Sequence, residues 1–374
     1  MEHFDVIIVG GGLAGLTASL HLKQCGHKVV VCEKQQYPHH KVCGEYVSAE
    51  VVPYLRRLGI FLDATNTVSI NTMQLSTVSG KSIKGKLPLG GRGISRYALD
   101  NLLYESASRR SIPFVFESVI AIQFADDLFE VRMTSGTVFS AKMVIGAFGK
   151  RSNLDKHLNR PFFRKKSRWL GIKAHYAYTD FPDNLVALHT FEGGYGGLSK
   201  TETGAVNFCY LVSYNSFGKE NDVHKFNENT VARNPFLGTF LENAEPLFRE
   251  PLAIAQVSFE KKETVKEHVI MCGDTAGLIH PLCGNGMAMA IHSAKLASEQ
   301  IHHYLTDPNF DRSQMEKKYT TLWKKNFGYR LWMGRQLQSL LLHRELSSIA
   351  LSLATRSPFL LRNLIKQTHG KPIV

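Results

Sequence analysis

The chain has 374 residues, 45 Lys+Arg against 32 Asp+Glu for a formal charge of +13, and 44% hydrophobic residues. That composition belongs to a folded globular protein and excludes a disordered chain, a collagen repeat and a coiled-coil array. The length exceeds the ~250–300 residues at which a single core stops growing, so two lobes are expected. The six cysteines (Cys25, Cys32, Cys43, Cys209, Cys272, Cys283) are scattered and form no CxxC pair, which excludes a disulfide framework and fits free thiols in a reducing compartment.

In chain order, Met1–Asp5 is acidic where a signal peptide is basic, so the apolar run that follows is read as structure. Phe4–Gly10 reads as a buried strand, Leu13–Gln24 as a helix and Lys28–Glu33 as a second buried strand, the βαβ start of a doubly wound sheet. A Pro/His-rich loop (Tyr37–His40) leads to a helix-like stretch at Ser48–Leu58, then to short alternating segments through Leu89. Leu99, Leu102, Leu103 and Ala107 space Arg96–Arg109 as a helix. Val119–Met133 and Thr137–Ala147 alternate around a Ser135-Gly136 turn like a hairpin.

Within Trp169–Glu260, strand-like patches at Gly171–Tyr178, Ala187–Phe191 and Val206–Val212 surround one helical insertion near Phe226–Glu242. Strand, loop and helix return from His268. The longest stretch free of Asp, Glu, Lys and Arg, Thr275–Ala294, contains Pro281, Asn285 and three glycines, so no membrane span is expected. From Tyr319 the chain reads as a basic helical tail, with nine Lys/Arg against Glu345 alone between Thr321 and Val374. Leu331, Trp332, Leu337, Leu340, Leu341 and Leu342 are expected on an apolar side, and Arg330, Arg335 and Arg344 on a charged one that could touch a membrane surface.

The motifs with chemical content lie at the two ends of this pattern. In Val6-Ile-Ile-Val-Gly10-Gly-Gly12-Leu-Ala-Gly15, Gly10 allows a tight turn, Gly12 admits a pyrophosphate to the backbone and Gly15 packs helix on strand. Glu33, at the end of the second strand, suits a ribose diol and repels a 2′-phosphate. Far downstream, a strand ending in Gly273-Asp274 aims a carboxylate at a ribityl or ribose hydroxyl. The Gly284-Asn285-Gly286 turn then sets backbone N–H groups where a flavin pyrimidine would lie. These features favour FAD over NAD.

With Ile94-Ser95-Arg96-(x)3-Asp100 between them, these motifs resemble the p-hydroxybenzoate-hydroxylase-like flavoproteins, nearest the geranylgeranyl-reductase-like branch, over about residues 1–300. The resemblance implies an α/β fold: a Rossmann-like, GR2-type FAD lobe, an antiparallel β-sheet substrate lobe and a helical C-terminal tail. It places the FAD lobe at 1–60, 92–160 and 264–318, the substrate lobe at 61–91 and 161–263, and the tail at 319–374. Candidate cofactor contacts are Gly10, Gly12, Leu13, Ala14, Gly15, Glu33, Lys34, Lys41, Arg96, Gly273, Asp274, Gly284, Asn285 and Gly286.

Lys41-Val-Cys43-Gly44-Glu45 is similar to the Cys-Gly segment that geranylgeranyl reductases hold near the flavin, making Cys43 a candidate catalytic thiol; the plain alternative is a buried apolar cysteine. Tyr195, among Gly193, Gly194, Gly196 and Gly197, is a candidate to face substrate, or else marks a flexible strand edge. The chain departs from the family at Phe148-Gly149, where an Asp-Gly pair is usual, so NAD(P)H docking does not carry over from the hydroxylases. With no second GxGxxG, NAD(P)H is expected at most as a transient visitor.

The pairs His39/His40 and His302/His303 complete no four-ligand spacing, so no metal is expected. No nucleic-acid-binding module accompanies the positive charge. The expected function is reduction of C=C bonds in an apolar, prenyl or polyketide-like substrate by hydride from reduced FAD, in the cytoplasm or at a membrane surface. The rivals are an FAD-dependent monooxygenase using NAD(P)H and O2, and a non-catalytic lipid-binding relative.

Overall fold

The computed structural model describes residues 2–278, 284–342 and 370–374. Strand β1 (Glu2–Val9) turns through glycines into α1 (Leu13–Gln24) and β2 (Val29–Cys32). Val6–Val9 and all of β2 are buried, as strands covered on both faces must be. The chain then leaves for a second sheet through β3 (Tyr46–Ser48), α2 (Val52–Arg57), β4 (Val68–Ser76) and β5 (Ser82–Gly93). Helix α3 (Arg96–Arg109) brings it back to β6 (Phe114–Val115), β7 (Val119–Ala125), β8 (Leu128–Met133) and β9 (Val138–Gly146).

After α4 (Asn153–His157) come β10 (Trp169–Ala177), β11 (Leu185–Phe191), β12 (Gly194–Lys200) and β13 (Val206–Ser213). Helices α5 (Tyr214–Phe217), α6 (Val223–Asn229) and α7 (Pro235–Asn243) follow, then β14 (Glu245–Pro246) and β15 (Leu252–Val257). Finally β16 (Val265–Lys266) and β17 (Val269–Met271) rejoin the first sheet, and α8 (Gly286–Thr306) and α9 (Arg312–Leu342) cover it.

The first sheet runs β16-β17-β9-β1-β2-β6, parallel from β17 to β6, with the β7-β8 ribbon attached to β9. The second runs β14-β10-β13-β12-β11-β4-β5-β3, with β15 also on β10, and is antiparallel apart from the β11-β4 pair. Its two faces differ by the strand alternation. Ile172, Ala174, Tyr176, Phe208, Tyr210 and Val212 point to a core closed by Phe226, Leu237 and Phe240 of α6 and α7. The alternate residues Gly171, Lys173, His175, Asn207 and Cys209, with Gly197 and Ser199 across the ladder, form the opposite face. That face looks toward the first lobe.

Several elements differ from expectation. The crossing to the second sheet comes already at Tyr46, inside the stretch 1–60 assigned to the first lobe, and the helix expected at 48–58 shrinks to Val52–Arg57. Val119–Met133 is two strands, because Asp126 and Asp127 take positive φ (49° and 58°) and make a tight hairpin turn of their own. The insertion at 226–242 breaks at Asn234-Pro235, where proline starts a new helix and the Asn234 side chain caps it. Gly194–Lys200 is a strand interior to the sheet, between β11 and β13, rather than a flexible edge.

In α9, Leu331 is buried while Trp332 is 49% exposed, since successive helical residues point about 100° apart. Arg330 is not on a solvated face but pairs with buried Glu50 at 3.2 Å. Residues 370–374 are not helical; the Ile373 N–H donates to the Glu50 carbonyl at 2.8 Å. The expectations for Pro281, Cys283, Arg344 and the tail from 343 to 369 lie outside the described residues. No helix among the described residues is long and apolar enough to cross a membrane.

Candidate active site

The glycine turn is built as its spacing requires. Gly10 takes φ +106°, and a Cβ there would meet the Ala147 carbonyl oxygen at 2.4 Å; one at Gly15 would sit 1.9 Å from the Gly10 oxygen. Gly12 is different. It heads α1 with no side-chain cap, and a Cβ there would meet only Arg96 Nη2 (3.6 Å) and Lys41 Nζ (4.0 Å). The open backbone N–H groups of a helix start therefore lie under two cations, a cradle shaped and charged for a diphosphate.

Buried Leu13 and Ala14 form the first turn of α1. Glu33 accepts the Gly11 N–H at 2.7 Å and the Gln35 N–H at 3.1 Å, which fixes its carboxylate beside the turn; Lys34 lies exposed just beyond.

Asp100, wholly buried on α3, binds Arg96 through two bonds of 2.7 Å and Lys41 through one of 2.9 Å. Burial alone would raise its pKa, but the two cations outweigh it and hold the carboxyl below its ordinary range. Two cations around one anion leave a positive surplus facing Gly12. The other end of the chain arrives at the same place: a Cβ added at Gly273 (φ +59°) would lie 3.1 Å from the Ala14 Cβ, and the Gly273 N–H donates to Ser293 Oγ at 2.8 Å. Asp274 follows it, within the electrostatic reach of Arg96. Gly284 (φ +63°) stands against the Tyr46 ring, and buried Asn285 heads α8, which begins at Gly286. The motifs from both ends thus converge on one crevice.

Two lysines not foreseen from the sequence close its side. Lys150 Nζ donates to the Val42 carbonyl at 3.0 Å, and Lys262 Nζ to the carbonyls of Lys150 (2.8 Å) and Asp274 (2.7 Å). Burial pulls Lys262 down to about 8. Phe148 is half-buried, and its neighbour Gly149 exchanges two hydrogen bonds with Thr275, so backbone joins the two turns where the family has an acid.

Cys43 lies half-buried on the segment that spans the crevice. Tyr195 is 1% exposed on the crevice-facing side of β12, packed in an apolar cluster with Leu211, Val257 and Leu278. The group sequence reasoning missed is Glu45. Fully buried at φ 55°, it accepts the Arg96 N–H (2.8 Å), bonds Lys173 Nζ (2.5 Å) and meets His175 Nε2 (2.6 Å). Burial pushes its pKa up, yet the His175 hydrogen bond and the Lys173 charge hold it below the ordinary value. The one available signal was the alternation Gly171-x-Lys173-x-His175, which marks a polar face on an otherwise apolar strand.

His40, Glu45 and His175 bring three ligand-type atoms within 4.8 Å of one another. A divalent cation fits poorly there, because the Lys173 ammonium already neutralises the carboxylate and His175 bonds it directly. The other histidines go elsewhere: His39 to the Gln36 carbonyl, His302 to His27, His303 to Asp307.

Comparison with known proteins bears on the family and the fold. The chain is 22% identical over 371 residues to conditioned medium factor receptor 1 of Dictyostelium discoideum, covering 91% of this chain and 71% of that one. It is 25% identical over 350 residues to digeranylgeranylglycerophospholipid reductase of Methanococcus aeolicus, covering 89% and 84%. The crystal structure of a geranylgeranyl bacteriochlorophyll reductase-like protein from Thermoplasma acidophilum superposes with a TM-score of 0.74 at 21% identity, covering 98% of this chain and all of that one. Residues 3–308 match the family model described as FAD binding domain, and the chain belongs to that family, an FAD-dependent oxidoreductase of the p-hydroxybenzoate-hydroxylase-like group.

Proposed function

We propose that the protein reduces C=C bonds of an apolar, prenyl or polyketide-like substrate. The observation that carries this reading is an apolar wall at the junction of the lobes, its partly exposed surface formed by Trp169, Leu188, Ile254 and Phe259 and backed by buried Tyr195, Leu211 and Val257 of the second sheet and Leu278 just beyond the Gly273-Asp274 turn. A substrate held against that wall exchanges no charge with it and is retained by burial of apolar surface. Bound FAD supplies a hydride once reduced. Gly10, Gly12, Gly15, Arg96 and Lys41 would hold its diphosphate side, Glu33 and Asp274 its hydroxyls. The name of the Methanococcus relative, a prenyl-lipid reductase, supports the same substrate class.

The test is chemical. The purified holoenzyme, reduced with dithionite under argon, is mixed with geranylgeranyl-bearing lipid and analysed by mass spectrometry, with oxygen uptake followed in a parallel aerobic reaction with NAD(P)H. Gain of two hydrogens per double bond without oxygen is the expected result. Substrate-dependent oxygen uptake with oxygen incorporated into the product would establish a monooxygenase instead, and a preparation that binds lipid but never turns over FAD would establish a binding protein.

A further inference from the structure

The crevice-side face of the second sheet spends its polar side chains on residues 41–45, which belong to no helix or strand. The Lys41 oxygen accepts from Lys173 Nζ (3.2 Å), the Cys43 oxygen from Asn207 Nδ2 (3.2 Å) and the Gly44 oxygen from Ser199 Oγ (3.1 Å). The Val42 oxygen is held by Lys150 Nζ and that of Glu45 by the Ile94 N–H.

The outer face of the same sheet differs. Against β4, β5, β11, β12 and α7 lies a cleft of about 520 Å³, within the size range of small-molecule sites. It is separate from the crevice. Gln74, Ala187 and Leu198 stand side by side across the ladder on the face that α7 covers, whereas the next residues along, Leu188 and Ser199, point to the first lobe. The walls of the cleft are rings: Tyr178, Phe181, Phe240 and Phe236, the last stacked on His189 with centroids 5.3 Å apart.

Two polar side chains of this cleft are unspent. Gln74 is only 5% exposed, lines the cleft and has no hydrogen-bond partner for its amide among the described residues. Ser76, two residues on and on the same face, is by contrast fully used: its hydroxyl bonds His189 Nδ1 (2.7 Å) and accepts from Asn234 Nδ2 (2.9 Å). Lys84 lies directly opposite Gln74 on β5 and makes no ion pair among the described residues, and Lys86 shares its face one pair further along. Asp180 also reaches the rim, but Thr179 Oγ1 donates to it (3.3 Å) and Lys200 bonds the Thr179 carbonyl (3.5 Å), which leaves the β5 lysines as unbalanced charge. A nearly buried amide without a partner is retained at a cost that a ligand can remove, and here open space lies beside it.

We propose that this cleft is a second ligand site, on the back of the substrate sheet, for a small aromatic carboxylate. Its ring system packs among Tyr178, Phe181, Phe236 and Phe240, and its carboxylate accepts from the Gln74 amide and the Lys84 ammonium. The site is independent of the substrate reading above.

The experiment titrates the FAD-loaded protein calorimetrically with 2-naphthoate, with the neutral 2-naphthylmethanol and with the cationic 2-naphthylmethylamine. The acid should bind one to one, about fivefold more tightly than the alcohol, with the amine weakest. Lys84→Met should erase the preference for acid over alcohol, and Gln74→Leu should weaken the acid about tenfold. Thr239→Trp, which fills the cleft from the exposed side of α7, should abolish binding. Lys84 and Thr239 are exposed, so those two variants carry the test should Gln74→Leu not fold. Absence of saturable binding, or binding that Thr239→Trp leaves intact because the probe sits in the crevice, overturns the proposal. Alcohol or amine binding as tightly as the acid overturns the ligand class.

Discussion

Glu45 sets the charge balance beneath the crevice. Among the described residues its carboxylate is the only anion bonded to the buried Lys173 ammonium, so Glu45→Gln leaves an uncompensated buried charge, with an expected loss of about 3–5 kcal/mol in urea unfolding. The double variant Glu45→Gln/Lys173→Met should recover most of that loss; if it does not, the pair is not the source of the effect. At this scale the sequence displayed whatever is local. Gly10, Gly12, Gly15 and Glu33 lie within one βαβ unit, and Arg96 meets Asp100 one helical turn away. Glu45 stayed hidden because its partners lie 128 and 130 residues further on, and no spacing rule reaches across a fold. Asn207 stayed hidden for the same reason, since its bond to Cys43 spans 164 residues.

Helix α3 presents Arg96 and Asp100, and its start is held by three side chains. Ser95 Oγ accepts the Ala98 N–H at 3.0 Å, both oxygens of Glu202 bind Ser95 at 2.6 Å, and Glu45 takes the Arg96 N–H. Two carboxylates at a helix N-terminus match the positive end of its dipole. Ser95→Ala should therefore cost about 1–2 kcal/mol in urea unfolding and weaken FAD binding measurably, because the helix start that aims Arg96 loosens. Unchanged FAD affinity in a destabilised protein would show that the cap serves the fold alone. Among the elements, α1 was legible from its place between the glycine turn and the second strand, α3 from the spacing of Leu99, Leu102, Leu103 and Ala107, and β9 from its alternation. Strand β12 was not, because its glycines carry no alternation and glycine disfavours strands. The structure needs them: a Cβ at Gly194 would meet the Leu211 oxygen at 2.3 Å, and one at Gly196 the Phe208 ring at 2.6 Å.

The whole molecule carries an acid liability spread over both sheets. Burial holds His21 of α1, His189 of β11 and His292 of α8 down to about 4, so each is neutral in the folded protein. Below their ordinary value of about 6.5 the unfolded chain takes up protons that the folded one refuses, and stability falls with pH until about pH 4. Each group removes up to about 1.4 kcal/mol per pH unit in that window. Urea midpoints should therefore drop steeply between pH 7 and pH 5, with a shallower slope in His189→Gln; a flat profile would contradict the burial of these rings.

At the same scale, the two-lobed plan followed from length and from motifs at both ends of the chain, whereas the early crossing at Tyr46 did not, because a three-residue strand leaves almost no pattern.

The pinned segment 41–45 has a consequence for how such a protein can diversify. Its carbonyls are held mostly by side chains of the second sheet, so that sheet is not a cassette to be exchanged between relatives. A chimera that imported foreign β10, β12 and β13 would strand the host's own backbone acceptors. New substrates are reached instead by single replacements on the crevice floor, and Gly197, where an added methyl would make only ordinary contacts at 3.7–3.9 Å, is where the floor tolerates growth.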